Sequence, residues 1–127
     1  MNYTFFVPLL ITLGAIPGAL IRYYLTLFCT QKFGSRFPYG TLIINLSGSL
    51  FIGFCAVLFQ SIEASTALSL LVMIGFLGSY TTFSTYELET SNLLKARNYK
   101  KALFYGFGSP ALGFVCVELG MFLARQF

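Results

Sequence analysis

The sequence predicts an all-α membrane protein with four transmembrane helices, because it is short of charge and its apolar residues form long blocks. Of its 127 residues, 57% are hydrophobic and 9% are charged, and the mean hydropathy is +0.78. A soluble domain has about 25% charged residues, so this chain has too few to cover its surface with solvated groups. The lipid bilayer is therefore its expected solvent.

Four apolar blocks predict four spans, at about residues 5–28, 42–59, 67–94 and 102–123. A helix needs roughly 20 apolar residues to cross a bilayer, and each block is close to that length. Short connectors separate the blocks, so residues 1–127 are expected to form a single transmembrane domain. Membrane strands would alternate apolar and polar residues over about ten positions, and these blocks are apolar on all sides instead.

The first block contains two spaced glycines and one charge. Gly14 and Gly18 are four residues apart, a spacing that lets helices pack closely in lipid. Arg22 lies near the end of the block, where its long side chain can snorkel to the interface. It can equally place positive potential at the mouth of a pore.

The second block contains an amide within apolar sequence. Asn45 follows Thr41 in this block, and a buried amide must find hydrogen-bond partners. We expect it either to donate to an anion or to join helices.

The third block contains the least usual segment of the chain. Gly78 and five hydroxyl residues fall within eight positions, namely Ser79, Thr81, Thr82, Ser84 and Thr85. Glycine and adjacent β-branched threonines weaken a helix, so we expect helix three to be broken in mid-membrane. A broken backbone there must be buried in protein or line a watery cavity, and its carbonyls would suit a small hard cation. Hydroxyls bonded back to the preceding turn would be the structural alternative.

Two aromatic residues follow the polar segment. Phe83 and Tyr86 are three apart and therefore share a helix face. Aromatic ring edges are electropositive, so two of them along a narrow dry path can support an anion. Core packing is the more common use of aromatic residues at this spacing, and the residues alone leave both roles open.

The fourth block contains a carboxylate near its end, Glu118. An intramembrane carboxylate is costly and is usually functional. This one is about two turns from the predicted helix end, so it can also reach the interface.

Basic residues are concentrated in the first and third connectors and predict the topology. The six are Lys32, Arg36, Lys95, Arg97, Lys100 and Lys101. The second connector has only Glu63, and Arg125 lies near the C-terminus. The positive-inside rule places connectors one and three in the cytoplasm and both termini outside. We favour this role for the net charge of +4 over a nucleic-acid partner.

An enzyme is the least expected class. The chain has no histidine, the usual general base near neutral pH and the commonest metal ligand. Its three cysteines are widely spaced, without metal-binding spacing, and are interpreted as small apolar fillers.

Three segments resemble the Fluc (CrcB) family of small fluoride channels. They are Gly14–Tyr23, Gly40–Gly48, with its GTLxxN pattern, and Gly75–Glu89. They occur in the order and spacing of the family, and the resemblance extends over nearly the whole chain. The resemblance implies an antiparallel dimer of four-helix subunits. It also implies a multi-pass protein of the bacterial inner membrane, the plasma membrane, that exports fluoride passively and so relieves fluoride toxicity.

The resemblance also implies roles for individual residues. Phe83 and Tyr86 would line the fluoride path, with contributions from Asn45, Thr41, Ser84, Thr85 and Ser109. Arg22 would lie near the aqueous vestibule. The backbone carbonyls of Gly78 and Thr81 would hold a structural or activating sodium ion at the dimer interface, where a cation offsets the cost of an anion in low dielectric.

The chain departs from the family pattern in three respects. Tyr86 stands where phenylalanine is common, so its hydroxyl adds a donor or narrows the path. The expected polar face of helix four, Ser109, Gly113 and Val117, keeps one hydroxyl, beside an expected kink at Pro110. The uneven charge suggests that the chain inserts mostly one way and pairs with a paralogue of opposite bias.

Two other functions stay open from the sequence. The chain is alternatively a structural, non-conducting partner in a heterodimeric channel. A proton-coupled fluoride exporter would instead use Glu118 or Glu89 as its proton carrier.

Overall fold

All the regular secondary structure in the computed structural model, which describes residues 2–127, is helical. Helix α1 spans Tyr3–Phe33, α2 spans Tyr39–Ser61, and the last helix spans Tyr99–Ala124. Between them lies a third span, Thr66–Lys95. All four spans are long and apolar enough to cross a membrane, which confirms the predicted all-helical, four-span class.

The third span consists of two helices. We call residues 66–80 α3; it comprises a turn at Thr66–Ser69, a π-helical stretch at Leu70–Leu77 and a last turn at Gly78–Tyr80. Helix α4 is Phe83–Lys95, and the helix Tyr99–Ala124 is therefore α5. The two residues between α3 and α4 have extended backbone.

Helix α1 is longer than its apolar block because polar residues continue its last turns. It ends where Gly34 adopts φ 78° and donates its amide to the Thr30 carbonyl at 2.9 Å. The helix thus continues five residues beyond the predicted apolar span, which ends at about residue 28. Arg22 therefore lies about 16 Å from the helix end, at ~1.5 Å per residue, rather than beside it.

Glycines bring α1 and α3 into backbone contact. A Cβ atom added at Gly14 would meet the Leu71 carbonyl, and one added at Gly18 would meet the Phe76 carbonyl. Gly75 faces them from α3, where an added Cβ would lie 2.6 Å from the Ile11 carbonyl oxygen. This contact is the close packing predicted from the spacing of Gly14 and Gly18.

A second pair of glycines packs α2 against α5. A Cβ atom at Gly53 would meet the Val117 carbonyl, and one at Gly120 would meet the Leu50 carbonyl. Val117 lies on the face of α5, the predicted fourth span, on which a polar track was expected. That end of the face is used for helix packing instead.

The surface outside these contacts is that of a protein in lipid. Large apolar side chains such as Phe107, Phe114 and Phe122 are more than half exposed, which a soluble protein would avoid over so wide an area. The chain is a multi-pass membrane protein.

Connectors one and three lie at the same end of the molecule. Phe37, in the first connector, contacts the ring of Phe104 at 6.0 Å and that of Tyr105 at 5.6 Å, near the start of α5. The six basic residues of the two connectors therefore share one end. We refer to it as the basic end.

Candidate functional site

The site is built around the two-residue interruption between α3 and α4. Thr81 has φ −80° and ψ 158°, and Thr82 has φ −148° and ψ 117°. The last helical bond of α3 joins the Thr81 amide to the Leu77 carbonyl at 3.1 Å. The carbonyls of residues 78–81 lie beyond that bond, and the end of a helix leaves such groups without amide partners.

Asn45 on α2 closes the gap that the interruption leaves. Its Nδ2 donates to the Thr82 carbonyl and its Oδ1 accepts from the Thr82 amide, both at 2.9 Å. This reciprocal pair replaces two backbone bonds that a continuous helix would have made. Of the two roles expected for Asn45, the one seen in this structure is the joining of helices, since it connects α2 to the third span.

Neighbouring contacts hold the interruption against α2 and α1. The hydroxyls of Ser47 and Tyr80 are 2.8 Å apart, and Tyr80 is buried. Gly48 lies so close to Thr81 that a Cβ atom there would meet Thr81 Cγ2. On the other side, Ser79 Oγ donates to the Ala15 carbonyl of α1 at 2.9 Å.

The hydroxyls of the third span divide between backbone and side-chain partners. Ser79 and Thr81 bond to carbonyls of the preceding turn, at 3.1 and 3.0 Å, which is the structural alternative. Thr82 caps α4 instead, because its Oγ1 accepts from the Thr85 amide at 3.4 Å and donates to the Thr85 hydroxyl at 3.0 Å. Ser84 is exposed.

The two aromatic residues expected beside an ion path are neighbours but differ in exposure. The ring centroids of Phe83 and Tyr86 are 5.6 Å apart. Phe83 is 73% exposed, whereas Tyr86 is 9% exposed. Phe83 therefore projects from the subunit together with exposed Gly78 and Ser84, on a surface that a single chain leaves open.

Tyr86 contacts α5 through both its ring and its hydroxyl. The hydroxyl donates to the Gly106 carbonyl, and the ring lies 5.3 Å from that of the fully buried Tyr105. The hydroxyl is thus directed to α5 in this arrangement.

A carboxylate on α4 forms a further polar cluster that joins three helices. Glu89 Oε1 accepts from the Thr41 hydroxyl of α2 at 2.6 Å. Glu89 Oε2 accepts from the Tyr105 hydroxyl of α5 at 3.2 Å. Thr41, placed by the family resemblance in the ion path, therefore bonds to a carboxylate.

An open cavity of about 530 Å³ lies at the basic end and reaches this cluster. Thr41 and Glu89 are among its lining residues, with Arg36 contributed by the first connector. Thr30, Asn92 and Asn98 also line it. The cavity therefore connects the basic end with the Glu89 cluster and has polar side chains along part of its wall.

The remaining candidates lie away from these contacts or are differently exposed. Ser109 is buried on α5, and Arg22 is half-buried on α1. Glu118 is exposed on the outer side of α5 with Phe114 and Phe122. No group of three or more potential metal-ligating His, Cys, Asp or Glu side chains occurs in residues 2–127.

The sequence did not single out Tyr105, Ser47 or Tyr80, although all three contact the site. Tyr105 had a usable signal, because it is four residues before Ser109 and therefore lies on the same face of α5. Ser47 and Tyr80 gave none, since a serine and a tyrosine in an apolar block reveal no partner until the helices are packed.

These features define a small polytopic membrane protein whose polar groups gather at an interrupted third span. The comparison with protein families agrees with that class. The model of the family described as CrcB-like protein, Camphor Resistance (CrcB), matches residues 9–121. The chain belongs to this family.

Curated relatives match nearly the whole chain. It is 51% identical to the fluoride-specific ion channel FluC of Synechococcus sp. (strain JA-2-3B'a(2-13)), over 94% of this chain and 92% of the relative. It is 49% identical to the FluC of Trichormus variabilis, over 93% of this chain and 88% of the relative. The FluC of Hydrogenobaculum sp. is 44% identical over 97% of both chains.

Proposed function

We propose that this chain is a subunit of a fluoride-specific passive channel of the plasma membrane, exporting fluoride from the cytoplasm. The observation that carries the proposal is the interruption between α3 and α4, bonded by Asn45 and followed by Phe83 and Tyr86. It occurs in a chain whose close relatives are named fluoride-specific ion channels. The family is one of channels rather than enzymes.

On the α4 side of the interruption, the backbone offers amide groups that suit an anion. Helix α4 begins at Phe83, and the first amides of a helix have no helical acceptor and carry partial positive charge. Helix N-termini bind anions for this reason. Fluoride would pass by these amides, the Asn45 side chain and the edges of the two aromatic rings, with Thr85 and Ser109 as further donors.

On the α3 side, the interruption offers backbone carbonyls that suit a cation. Carbonyls 78–81 lie past the last bond of α3, at the negative end of that helix. Backbone carbonyls are suitable ligands for a hard cation such as sodium. Gly78 and Thr81 would contribute their carbonyls, and a second subunit would complete the ligand set. Melting temperatures in sodium chloride above those in choline chloride at equal ionic strength would support this assignment.

The exposure of Phe83, Ser84 and Gly78 supports a dimer. An ion path bordered by these residues needs a second wall, and an antiparallel copy or paralogue would supply it. Light scattering of the detergent-solubilised protein is expected to give twice the mass of one chain.

Fluoride efflux from liposomes tests the function directly. Vesicles containing the purified chain are diluted into fluoride-free buffer, with a potassium ionophore to carry the counter-charge, and a fluoride electrode follows release. Rapid fluoride efflux with retention of chloride is expected. Vesicles that retain fluoride while the chain is folded, or that release both ions equally, would contradict the proposal.

Glu89 favours a second candidate, a proton-coupled exporter, because it is a carboxylate at the inner end of the cavity. Glu89→Gln keeps the size of the side chain and one acceptor oxygen but removes its charge. In a coupled exporter this variant abolishes fluoride accumulation driven by a pH gradient. In a channel it leaves fluoride selectivity intact and changes only the rate.

A further inference from the structure

One backbone carbonyl of α5 has lost its helical partner. In a regular α-helix the carbonyl of residue 106 accepts a hydrogen bond from the amide of residue 110. Residue 110 is a proline inside α5 and has no N–H group. The Tyr86 hydroxyl donates to the Gly106 carbonyl and so supplies the bond that Pro110 cannot make.

The surroundings of Gly106 are shaped to admit α4. A Cβ atom at Gly106 would lie 3.2 Å from Thr90 Cγ2, so the absence of a side chain allows the two helices to approach. Tyr86 and Tyr105 are both buried beside this point. A carbonyl without a hydrogen-bond partner costs free energy where water is scarce, so the bond from the Tyr86 hydroxyl is stabilising.

We propose that Tyr86 is a positioning residue, whose ring α5 holds in one orientation through the carbonyl that Pro110 leaves free. Its functional half rests on the proposed function, in which the rings of Phe83 and Tyr86 border the fluoride path. Because the hydroxyl is directed to α5, tyrosine at this position adds no donor to the path. It fixes the ring instead.

The expected size of the effect follows from a single hydrogen bond. A bond of ordinary net strength changes the ratio of two ring orientations by about fivefold. The ring edge is electropositive and the ring face is not, so the ring favours an anion only while its edge is turned towards the path. Tyr86→Phe is therefore expected to keep the fold and to lower the initial fluoride efflux rate by up to about fivefold.

A double-mutant cycle with Pro110→Ala separates the hydrogen bond from general packing. In wild type, Tyr86→Phe leaves the Gly106 carbonyl without a partner and lowers the melting temperature in detergent by about 4 °C. After Pro110→Ala, the amide of residue 110 satisfies that carbonyl, so Tyr86→Phe is expected to cost less than half as much. Pro8→Ala and Tyr99→Phe, which alter a distant proline and an exposed tyrosine, should combine additively with the others.

The double variant distinguishes positioning from stability alone. Tyr86→Phe/Pro110→Ala is expected to melt near the wild-type temperature, because the carbonyl is satisfied, yet to keep the reduced efflux, because the ring is free. Additive melting temperatures for Tyr86→Phe and Pro110→Ala would overturn the hydrogen-bond argument. Efflux that recovers together with the melting temperature would overturn the positioning role. Wild-type vesicles that retain fluoride would overturn both the proposed function and this role. The melting temperatures of the cycle test the hydrogen bond between Tyr86 and Gly106 independently of transport.

Discussion

At the scale of single residues, Asn45 does the most to make the interruption of the third span possible. Backbone amides and carbonyls shielded from water need hydrogen-bond partners. The two bonds from the Asn45 side chain to Thr82 replace those of a continuous helix. One side chain therefore satisfies the break and lies beside the first turn of α4. Structure and proposed function depend on the same amide.

Asn45→Ala is expected to reduce both stability and transport. It leaves the amide and carbonyl of Thr82 without partners, and two such groups, which are half-buried here, cost roughly 2–4 kcal/mol. Chemical denaturation in detergent measures the loss, and liposome efflux measures transport. Asn92→Ala, an exposed asparagine at the basic end, is the matched control and should change stability by less than about 0.5 kcal/mol. Equal stability of the two variants would contradict the role of Asn45.

Residue types in the third span predicted the place of the interruption but not its partners. Glycine and paired threonines mark a weak point, because their helix propensities are low. The partner of Thr82 is 37 positions away in the chain, and the Tyr86 bond to Gly106 crosses 20 positions. Contacts at such separations depend on how the helices dock, and one sequence does not specify that.

At the scale of helices, glycine contacts set how closely the spans approach. Gly14 and Gly18 face α3 and Gly53 and Gly120 join α2 to α5, in each case at positions where a Cβ atom would strike backbone. Helices in lipid gain little from the hydrophobic effect, so such close contacts carry much of their association. The interruption thereby lies where the α1–α3 pair meets α2 of the other pair.

Gly14→Ala and Gly108→Ala are expected to have opposite effects. The added methyl group at position 14 meets the Leu71 carbonyl, which cannot move without shifting α3, and such overpacking costs about 1–3 kcal/mol. At Gly108 the nearest atom is Phe104 Cδ2 at 3.7 Å, an ordinary contact, and alanine gains about 0.5–1 kcal/mol of helix propensity. Melting temperatures should fall for Gly14→Ala and stay or rise for Gly108→Ala; a fall for both would contradict this account of the α1–α3 contact.

The π-helical stretch could not be predicted. Apart from Gly75, residues 70–77 are all large and apolar, so no polar residue marks the helical period. The spacing of Gly14 and Gly18 did predict a close helix contact, since i and i+4 share a face. Periodicity is informative where residue types differ, and the apolar stretch offers no contrast.

At the scale of the whole molecule, charge is distributed unevenly between the two ends. Six basic residues lie at the basic end, and Arg125 is near the opposite end with Glu63. Composition and block lengths were sufficient for the four-span class, because the bilayer requires long apolar helices. They were not sufficient for the proposed dimer, which is inferred from surfaces such as exposed Phe83 that one chain leaves uncovered.

The charge distribution predicts that the chain inserts mostly in one orientation, with its C-terminus outside. The positive-inside rule counts Lys and Arg near the span ends and gives Asp and Glu little weight. Lys95→Gln/Lys100→Gln/Lys101→Gln removes half of the basic residues of the basic end and should raise the fraction of chains with a cytoplasmic C-terminus. Glu63→Gln, the matched control at the other end, should leave the fractions unchanged. Paired C-terminal reporters, one active only in the cytoplasm and one only outside, measure the two populations.

The outcome decides which partner can complete the proposed antiparallel channel. If nearly all wild-type C-termini are outside, a copy of this chain cannot supply the opposed subunit in a cell, and a paralogue of opposite charge bias must do so. Liposomes lack this constraint, because purified subunits insert from detergent in both directions. The chain is then expected to release fluoride when reconstituted alone and to protect cells only when co-expressed with such a paralogue. Equal reporter populations for the wild-type chain would contradict the orientation bias and make a homodimer sufficient.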